Sequence, residues 1–501
     1  MQASAPEVES QQQNAVAAEP KWAMPDTYLI LLFVALLAFA LNFLIPAGTY
    51  ETMVVNERTV VDPSTYQQVA EEPQGLAIFA EGGNIGLLNF AFEGMVSGSK
   101  WGASIGVFAF ILLTGGAFGL IFASGSVERG LFQVIAKNRE AGGLYLAILC
   151  VMFSAGGAVF GMGEEVIPFT LIVVPLLVAM GYDSITALLV TYVATQVGFA
   201  TSWMNPFGVS IAQGIADVPL MSGSVPRMIL WAGATAFLVL FTLRYALRVR
   251  NNPESSLAYQ SDEVHRNKRQ SLDALQTMVR GDGLVLLLFA AGIAWMIWGV
   301  VEREYFLPEI ASQFFTMGIV IAIVAIAFGL NGLTANKAAA AFKEGAQQLL
   351  PAAMVVAFAK GIVLLLGGDD PSSPSVLNTI LNWAGQGLAD VSGTVSAWCM
   401  LLFQTVFNFF ITSGSGQAAL TMPIMAPLAD VVGVTRQTAV LAFQLGDGFS
   451  NVVVPTSAAL MGCLGAARLD WGVWIRFALP LMAWLFALAS VAVVLAALTG
   501  F

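Results

Sequence analysis

The sequence predicts an all-α polytopic membrane protein built from two repeats of opposite membrane topology, each with a re-entrant hairpin and an interrupted helix. Composition, loop charge and internal similarity predict it. The 501-residue chain is 57% hydrophobic and 11% charged, whereas a soluble domain carries about 25% charged residues. A soluble core does not account for this, because soluble chains of such length divide into domains with wet surfaces.

The apolar residues fall in long blocks. After a polar Gln/Ala/Glu-rich stretch over 1–23, read as a disordered tail without signal-peptide features, the segment Asp26 to Pro46 has no charge beyond Asp26. A bilayer core of about 30 Å needs about 20 such residues as helix. Further blocks lie near 101–124, 143–160, 165–180, 184–203, 226–247, 284–301, 310–330, 347–368, 392–411, 418–432, 437–450 and 472–498. Several are too short for a full span.

Loop charge sets orientation. Lys and Arg mark the cytoplasmic side. The longest basic stretch, Arg244, Arg248 and Arg250 followed by Arg266, Lys268, Arg269 and Arg280 of a linker over 251–280, is placed inside. Arg129, Lys137 and Arg139, and then Lys337 and Lys343, join it there. The acidic segment 47–100 is placed outside. With a cytoplasmic N-terminus these assignments alternate only if 143–182 and 392–433 are hairpins that enter and leave on one side each, from opposite faces.

The two halves, 24–250 and 281–501, are weakly similar. Pro427 lies 252 positions after Pro175, and at that offset Leu176, Gly181, Thr186, Ala187 and Leu189 match Leu428, Gly433, Thr438, Ala439 and Leu441. Because the loop charges orient the copies oppositely, the pattern reads as inverted repeats, a hallmark of secondary transporters with a site near the membrane midplane.

Four places in apolar sequence carry helix-breaking and polar residues: Gly156 to Glu165, Thr201 to Pro206, Asn408 to Gln417, and Gly446 to Asn451 followed by Pro455-Thr456-Ser457. They predict two hairpin tips and two broken helices, over 184–216 and 435–466. Irregular backbone at membrane depth is tolerated only inside protein or against a wet cavity. Its half-helix N-termini attract carboxylates and its carbonyls hold cations. The candidate substrate residues are therefore Glu164, Glu165, Asn205, Thr412, Ser413, Gly414, Ser415, Gln417, Asp447 and Asn451. Gly163, Ser202, Asn205, Gly446 and Asp447 are candidates for a coupling Na⁺, with H⁺ the alternative. Buried carboxylates such as Glu164, Glu165 and Asp447 mark ion or substrate paths in membranes. They suit the ammonium or guanidinium of a ligand whose own carboxylate meets the Ser/Gly tip. Structural readings compete: one glutamate as a helix cap, and Asp447 as a partner of Asn451 or Gln444. Asp183 reads as a helix N-cap, Gly115, Gly116 and Gly119 as close helix packing, and Lys360 as a structural cation or an anion ligand. The stretches 126–138 and 378–390 resemble surface helices.

Other chemistry finds no footing. Cys150, Cys399 and Cys463 are isolated, and His265 is the single histidine, so a His/Cys metal site is not expected. No cofactor, nucleic-acid motif or phosphate loop is read. Gly446-Asp447 resembles part of an intramembrane aspartyl protease motif, but position 444 is Gln, so no enzyme is expected; a channel is disfavoured by breaks in both halves.

The run Lys21-Trp22-Ala23-Met24-Pro25-Asp26-Thr27, the exit Phe43 to Tyr50, Gly156 to Glu165, Tyr192-Val193-Ala194-Thr195-Gln196, Ser202 to Phe207 and Thr412 to Gln417 resemble the YfcC family. That family belongs with the DcuC-like anaerobic C4-dicarboxylate carriers of the ion-transporter superfamily. The resemblance implies an inner-membrane secondary transporter, dimeric, with an elevator motion. Its dicarboxylate carriers use Ser-Asn-Thr at both tips. This sequence lacks it and places Glu164 and Glu165 at one tip, which favours an amino acid, a basic one, over a Na⁺- or H⁺-coupled dicarboxylate.

Overall fold

In the computed structural model, residues 27–55, 58–69, 77–100, 104–127, 129–130, 142–205, 208–266, 278–303, 305–368, 370, 372–389 and 391–501 are described. The tail over 1–23, most of the expected surface helix over 126–138, Pro206, Lys137, Arg139, Lys268 and Arg269 lie outside these residues.

Apolar segments in a bilayer must satisfy their own backbone, so helix dominates. The first half gives α1 (Thr27–Leu41), α2 (Phe90–Val96), α3 (Ile105–Ala123), α4 (Gly142–Phe160), α5 (Val166–Ala179), α6 (Ser184–Ala200), α7 (Val209–Ile215) and α8 (Ser224–Asn251). The second gives α9 (Asp282–Arg303), α10 (Leu307–Ala327), α11 (Ala335–Leu365), α12 (Val376–Ala389), α13 (Gly393–Phe407), α14 (Gly414–Val431), α15 (Arg436–Ser450), α16 (Ala458–Ala467) and α17 (Trp471–Thr499). Short antiparallel strand pairs lie in the acidic segment between α1 and α2. Among the described residues, 7 helices are long and apolar enough to cross a membrane: α3, α4, α8, α9, α10, α11 and α17. Others are apolar but short. α5 has 14 residues, about 21 Å at the helical rise of 1.5 Å per residue, which falls short of a core of about 30 Å.

The segments 143–182 and 392–433 each hold two successive helices, α4 and α5, and α13 and α14. The edge-on rings of Phe153 and Phe169, 5.5 Å apart, join the first pair. Broken helices follow: α6 and α7 flank 201–208, and α15 and α16 flank 451–457. Helices α5 and α6 correspond, 252 positions later, to α14 and α15.

Two expected breaks are displaced. The glycines at 156–157 and the Gly446-Asp447-Gly448 run were expected to interrupt helices. Instead α4 continues to Phe160 and α15 to Ser450, so Asp447 sits in the last turn of a helix. These glycines serve close approach rather than irregular backbone. A Cβ on Gly157 would lie 2.0 Å from the Thr195 carbonyl oxygen, and one on Gly448 would lie 2.6 Å from the Ala200 Cα. Helices α4, α6 and α15 therefore cross backbone to backbone.

The helices pack in two groups. In one, α1, α2 and α3 pack on α11, with α10 on α3 and α9 on α10; the other holds α4 to α8 and α13 to α17, joined to the first mainly through α11 against α16. The first group is locked by the expected glycine packing. A Cβ on Gly119 would stand 2.2 Å from the Ala341 carbonyl oxygen, and one on Gly345 2.2 Å from that of Gly115. A buried ion pair adds to it. Arg129 donates to both Asp282 oxygens at 2.7 and 2.5 Å, and Ser126 donates at 2.8 Å.

Beyond α8 the chain folds back onto the start of α6. Asp183 caps that helix as expected, accepting from the Thr186 N–H at 2.8 Å. Its other oxygen accepts from the Tyr245 and Ser256 hydroxyls, each at 2.6 Å. Asp262, fully buried, accepts from the Ser184 N–H at 3.0 Å. Burial pushes its carboxyl up to about 6, against the pull of that N–H and of Arg266, and Asp183 pushes it further.

Two outcomes are expected. Gly119→Val overpacks the α3–α11 crossing and costs about 1–3 kcal/mol or more, read as a lower melting temperature of the purified protein. The fold-back responds to pH. The folded pKa of Asp262 lies above the unfolded value of about 3.9, so its contribution is complete below that value and is lost as pH rises through about 6. Hydrogen exchange in 256–266, corrected for intrinsic rate, should be slower at about pH 5 than at about pH 7.5. In Asp262→Asn the difference should vanish.

Candidate functional site

The breaks leave carbonyls without helical partners, and unsatisfied backbone in hydrocarbon costs several kcal/mol per group. At the second break three successive carbonyls are taken by side chains. Tyr192 donates to the Asn451 carbonyl at 2.6 Å, Trp474 to that of Val452 at 2.9 Å and Trp471 to that of Val453 at 3.1 Å. Tyr192 is placed by a π-helical turn over Leu189–Val193 inside α6, a device frequent at functional sites. At the first break Gln444 donates to the Ser202 carbonyl at 2.6 Å. Gln444 in turn accepts from the buried Arg227, which also donates to Gln437 at 3.1 Å. The Ser202 hydroxyl donates to the Ala158 carbonyl at 2.5 Å and accepts the N–H groups of Met204 and Asn205 at 3.1 and 2.8 Å.

The two tips and the second break open on one cavity of about 380 Å³. Gly161, Gly163, Glu164 and Glu165 line it from the first tip, Phe410 to Ser415 from the second, and Asn451 and Thr456 to Ala459 from the second break. Gln196 and Phe199 of α6 complete this side. The opposite wall belongs to the other packed group: Ser104, Val107, Phe306, Leu307, Val356, Ala359, Lys360 and Val363. The cavity thus lies between the groups.

Of the candidate substrate residues, Glu164, Glu165, Thr412, Ser413, Gly414, Ser415 and Asn451 line this cavity. Glu165 does not cap α5. Its carboxylate turns back to accept the Gly163 N–H at 2.7 Å, while Glu164 stays half-buried at the cavity. Gln417 faces away, donating to the Gln404 carbonyl and side-chain oxygens at 3.0 and 2.7 Å. Asp447 and Asn205 lie behind the Phe199 ring. A Cβ on Gly414 would be 3.0 Å from Asp447 Oδ2 and 3.1 Å from Phe199 Cζ, and one on Gly208 would be 3.4 Å from Asn205 Nδ2 and 3.6 Å from the same ring atom.

Asp447 is 1% exposed, and neither carboxylate oxygen has a hydrogen-bond partner. Asn451 and Gln444 are therefore not its partners. Asn451 is held by Asn408, which donates to its side chain at 2.9 Å and to the Asp447 carbonyl at 3.1 Å. A bare carboxylate in such a place calls for a cation or a proton. Of the proposed ion residues, Gly163 is engaged by Glu165, Ser202 and Asn205 build the first break, and Gly446 packs against Gln404 and Thr405. Asp447 alone presents unpaired oxygens. Among the described residues no group of three or more His, Cys, Asp or Glu is poised for a metal ion.

Sequence reasoning passed over Trp471, Trp474, Arg227 and Phe199, and considered Gln444 only as a partner of Asp447. Their roles depend on which helices cross, and no local pattern marks them.

A family model described as C4-dicarboxylate anaerobic carrier, DcuC, matches residues 24–498. The chain belongs to this family. It is a secondary transporter and a multi-pass membrane protein. It is 48% identical over 495 residues to YfcC of Escherichia coli (strain K12), a protein whose name proposes basic amino acid antiport; the match covers 96% of this chain and 98% of YfcC. An uncharacterized protein of Haemophilus influenzae (strain ATCC 51907 / DSM 11121 / KW20 / Rd) is 28% identical over 506 residues, covering 94% and 96% of the two chains. The crystal structure of the YdaH transporter from Alcanivorax borkumensis is a distant likeness, with 15% identity, a TM-score of 0.41, and coverage of 95% of this chain and 99% of that one.

Removing the charge of Asp447 separates folding from transport. Asp447→Asn is expected to match or exceed the thermal stability of the unaltered protein, because an unpaired buried charge costs stability. Its transport should fall at least about tenfold, the factor that corresponds to roughly 1.4 kcal/mol. Glu164→Gln should behave alike. Unaltered transport in both would remove these residues from the site.

Proposed function

We propose that this member of the family is an exchanger of amino acids, with basic ones of the arginine or ornithine kind preferred. The observation that carries the reading is the polarity of the cavity: two carboxylates, Glu164 and Glu165, stand at one tip, and the hydroxyls of Thr412, Ser413 and Ser415 with the start of α14 stand at the other. A cationic side chain or ammonium fits the acidic tip. A carboxylate fits the helix start, where N–H groups and the helix dipole favour negative charge. The name of the YfcC relative agrees with this choice. An ordinary dicarboxylate would bring two further negative charges to the acidic tip, and desolvated like charges repel strongly.

The second reading is a C4-dicarboxylate carrier, favoured by the family description. It requires Na⁺ or protons at Glu164, Glu165 and Asp447 to offset that repulsion. In both readings Asp447 is the coupling residue, and Ser202 and Asn205 are further candidates beside the first break.

The transport cycle we propose is alternating access. The halves are inverted repeats with re-entrant hairpins, the group bearing tips and breaks moves as an elevator against the group built around α11, and two copies associate as a dimer. The chain sits in the bacterial inner membrane with its N-terminus in the cytoplasm. The recurrence of α5 and α6 as α14 and α15, the short α5, and the cavity between the two groups support this cycle.

Counterflow in proteoliposomes tests the substrate. Vesicles loaded with unlabelled arginine should accumulate labelled arginine, and vesicles loaded with succinate should not accumulate labelled succinate. The reverse result replaces the first reading with the second.

A further inference from the structure

Among the described residues, Lys360 is the one basic residue that lines the cavity. It belongs to α11, on the wall facing the tips, and that wall is held rigidly. A Cβ on its neighbour Gly361 would stand 2.1 Å from the Phe90 carbonyl oxygen, so α2 presses directly on the α11 backbone beside the lysine. A cation on a stiff helix, facing a cavity whose other charged residues are Glu164 and Glu165, divides that cavity by charge.

We propose that Lys360 is a specificity-determining residue that reads the α-carboxylate of the substrate. This rests on the amino acid reading above and goes beyond it, because it assigns the anionic end of the ligand to the opposite wall as well as to the second tip. A basic amino acid carries two cationic groups and one carboxylate. Glu164 and Glu165 match the two cations. The start of α14 offers N–H groups to the carboxylate but no formal charge, and its cap Ser413 already accepts from the Gly416 N–H at 3.4 Å. Lys360 supplies the missing positive charge. With it the lining has two acids and one base, the mirror of the ligand, and charge-assisted bonds of this type are the strong ones. A ligand that lacks the carboxylate brings no group for Lys360 to bond, so the same residue favours amino acids over simple amines.

The test uses the full chain in proteoliposomes, with labelled L-arginine and labelled agmatine, which is arginine without its carboxylate. Unaltered protein, Lys360→Met and Lys360→Arg are compared, with Lys360→Gln standing in if the methionine variant does not purify as a monodisperse peak. The KM for arginine should rise about tenfold or more in Lys360→Met, the loss of one charge-assisted hydrogen bond. The KM for agmatine should stay level or fall, and Lys360→Arg should recover most of the arginine affinity. Parallel losses for both ligands, or an unchanged KM for arginine, overturn the proposal. If the unaltered protein exchanges succinate and not arginine, the amino acid reading fails by itself, and Lys360→Met is then read on succinate. A rise of about tenfold in its KM supports the carboxylate role, and an unchanged KM overturns it.

Discussion

The structure depends on one constraint: backbone polar groups at membrane depth need partners, and water is not there to provide them. At both breaks, side chains from other helices take over part of that role. Tyr192, Trp471 and Trp474 hold three successive carbonyls of the second break, and Gln444, backed by Arg227, holds the first. The breaks are thus bought with buried aromatic and amide groups on α6, α15 and α17. The glycines at 157, 198 and 448 let those helices come close enough to reach.

The same economy sets where charge is tolerated. Arg129 and Asp282 neutralise each other in a bidentate pair that needs nothing further. Asp447 has no such partner. The contrast separates a carboxylate that fastens two helices from one kept available, and it is the available one that lies beside a tip residue, Gly414, at the cavity edge. The fold tolerates the destabilising group where transport chemistry can use it.

Much of this was legible in the sequence, because the signals were local. Long apolar blocks mark helices, and the paired acids at 164 and 165 and the Ser/Gly run at 412–416 mark tips. Asp183 and the Gly115–Gly119 stretch have the offsets of a cap and a close crossing. What escaped were features set by tertiary contact. The glycines at 156–157 and 446–448 looked like helix breakers and serve as crossing points, since only a neighbouring backbone distinguishes the two uses. Gln417 looked like a tip ligand, yet it bonds back to Gln404 on the adjoining helix. Lys360 sits in an apolar helix with no surrounding motif, and its place on the cavity wall follows from how α11 is set against α2 and α3.

The Tyr192 hydroxyl also has a thermodynamic meaning. It projects from the helix that ends in the first break and bonds to a carbonyl of the second, with the Ser457 hydroxyl 3.3 Å away. The second irregular segment is therefore tied to the helix that leads into the first. The second break cannot move its Asn451 carbonyl away from α6 without straining or releasing that bond, so its geometry is pinned to the helix that carries Gln196 and Phe199 of the cavity wall.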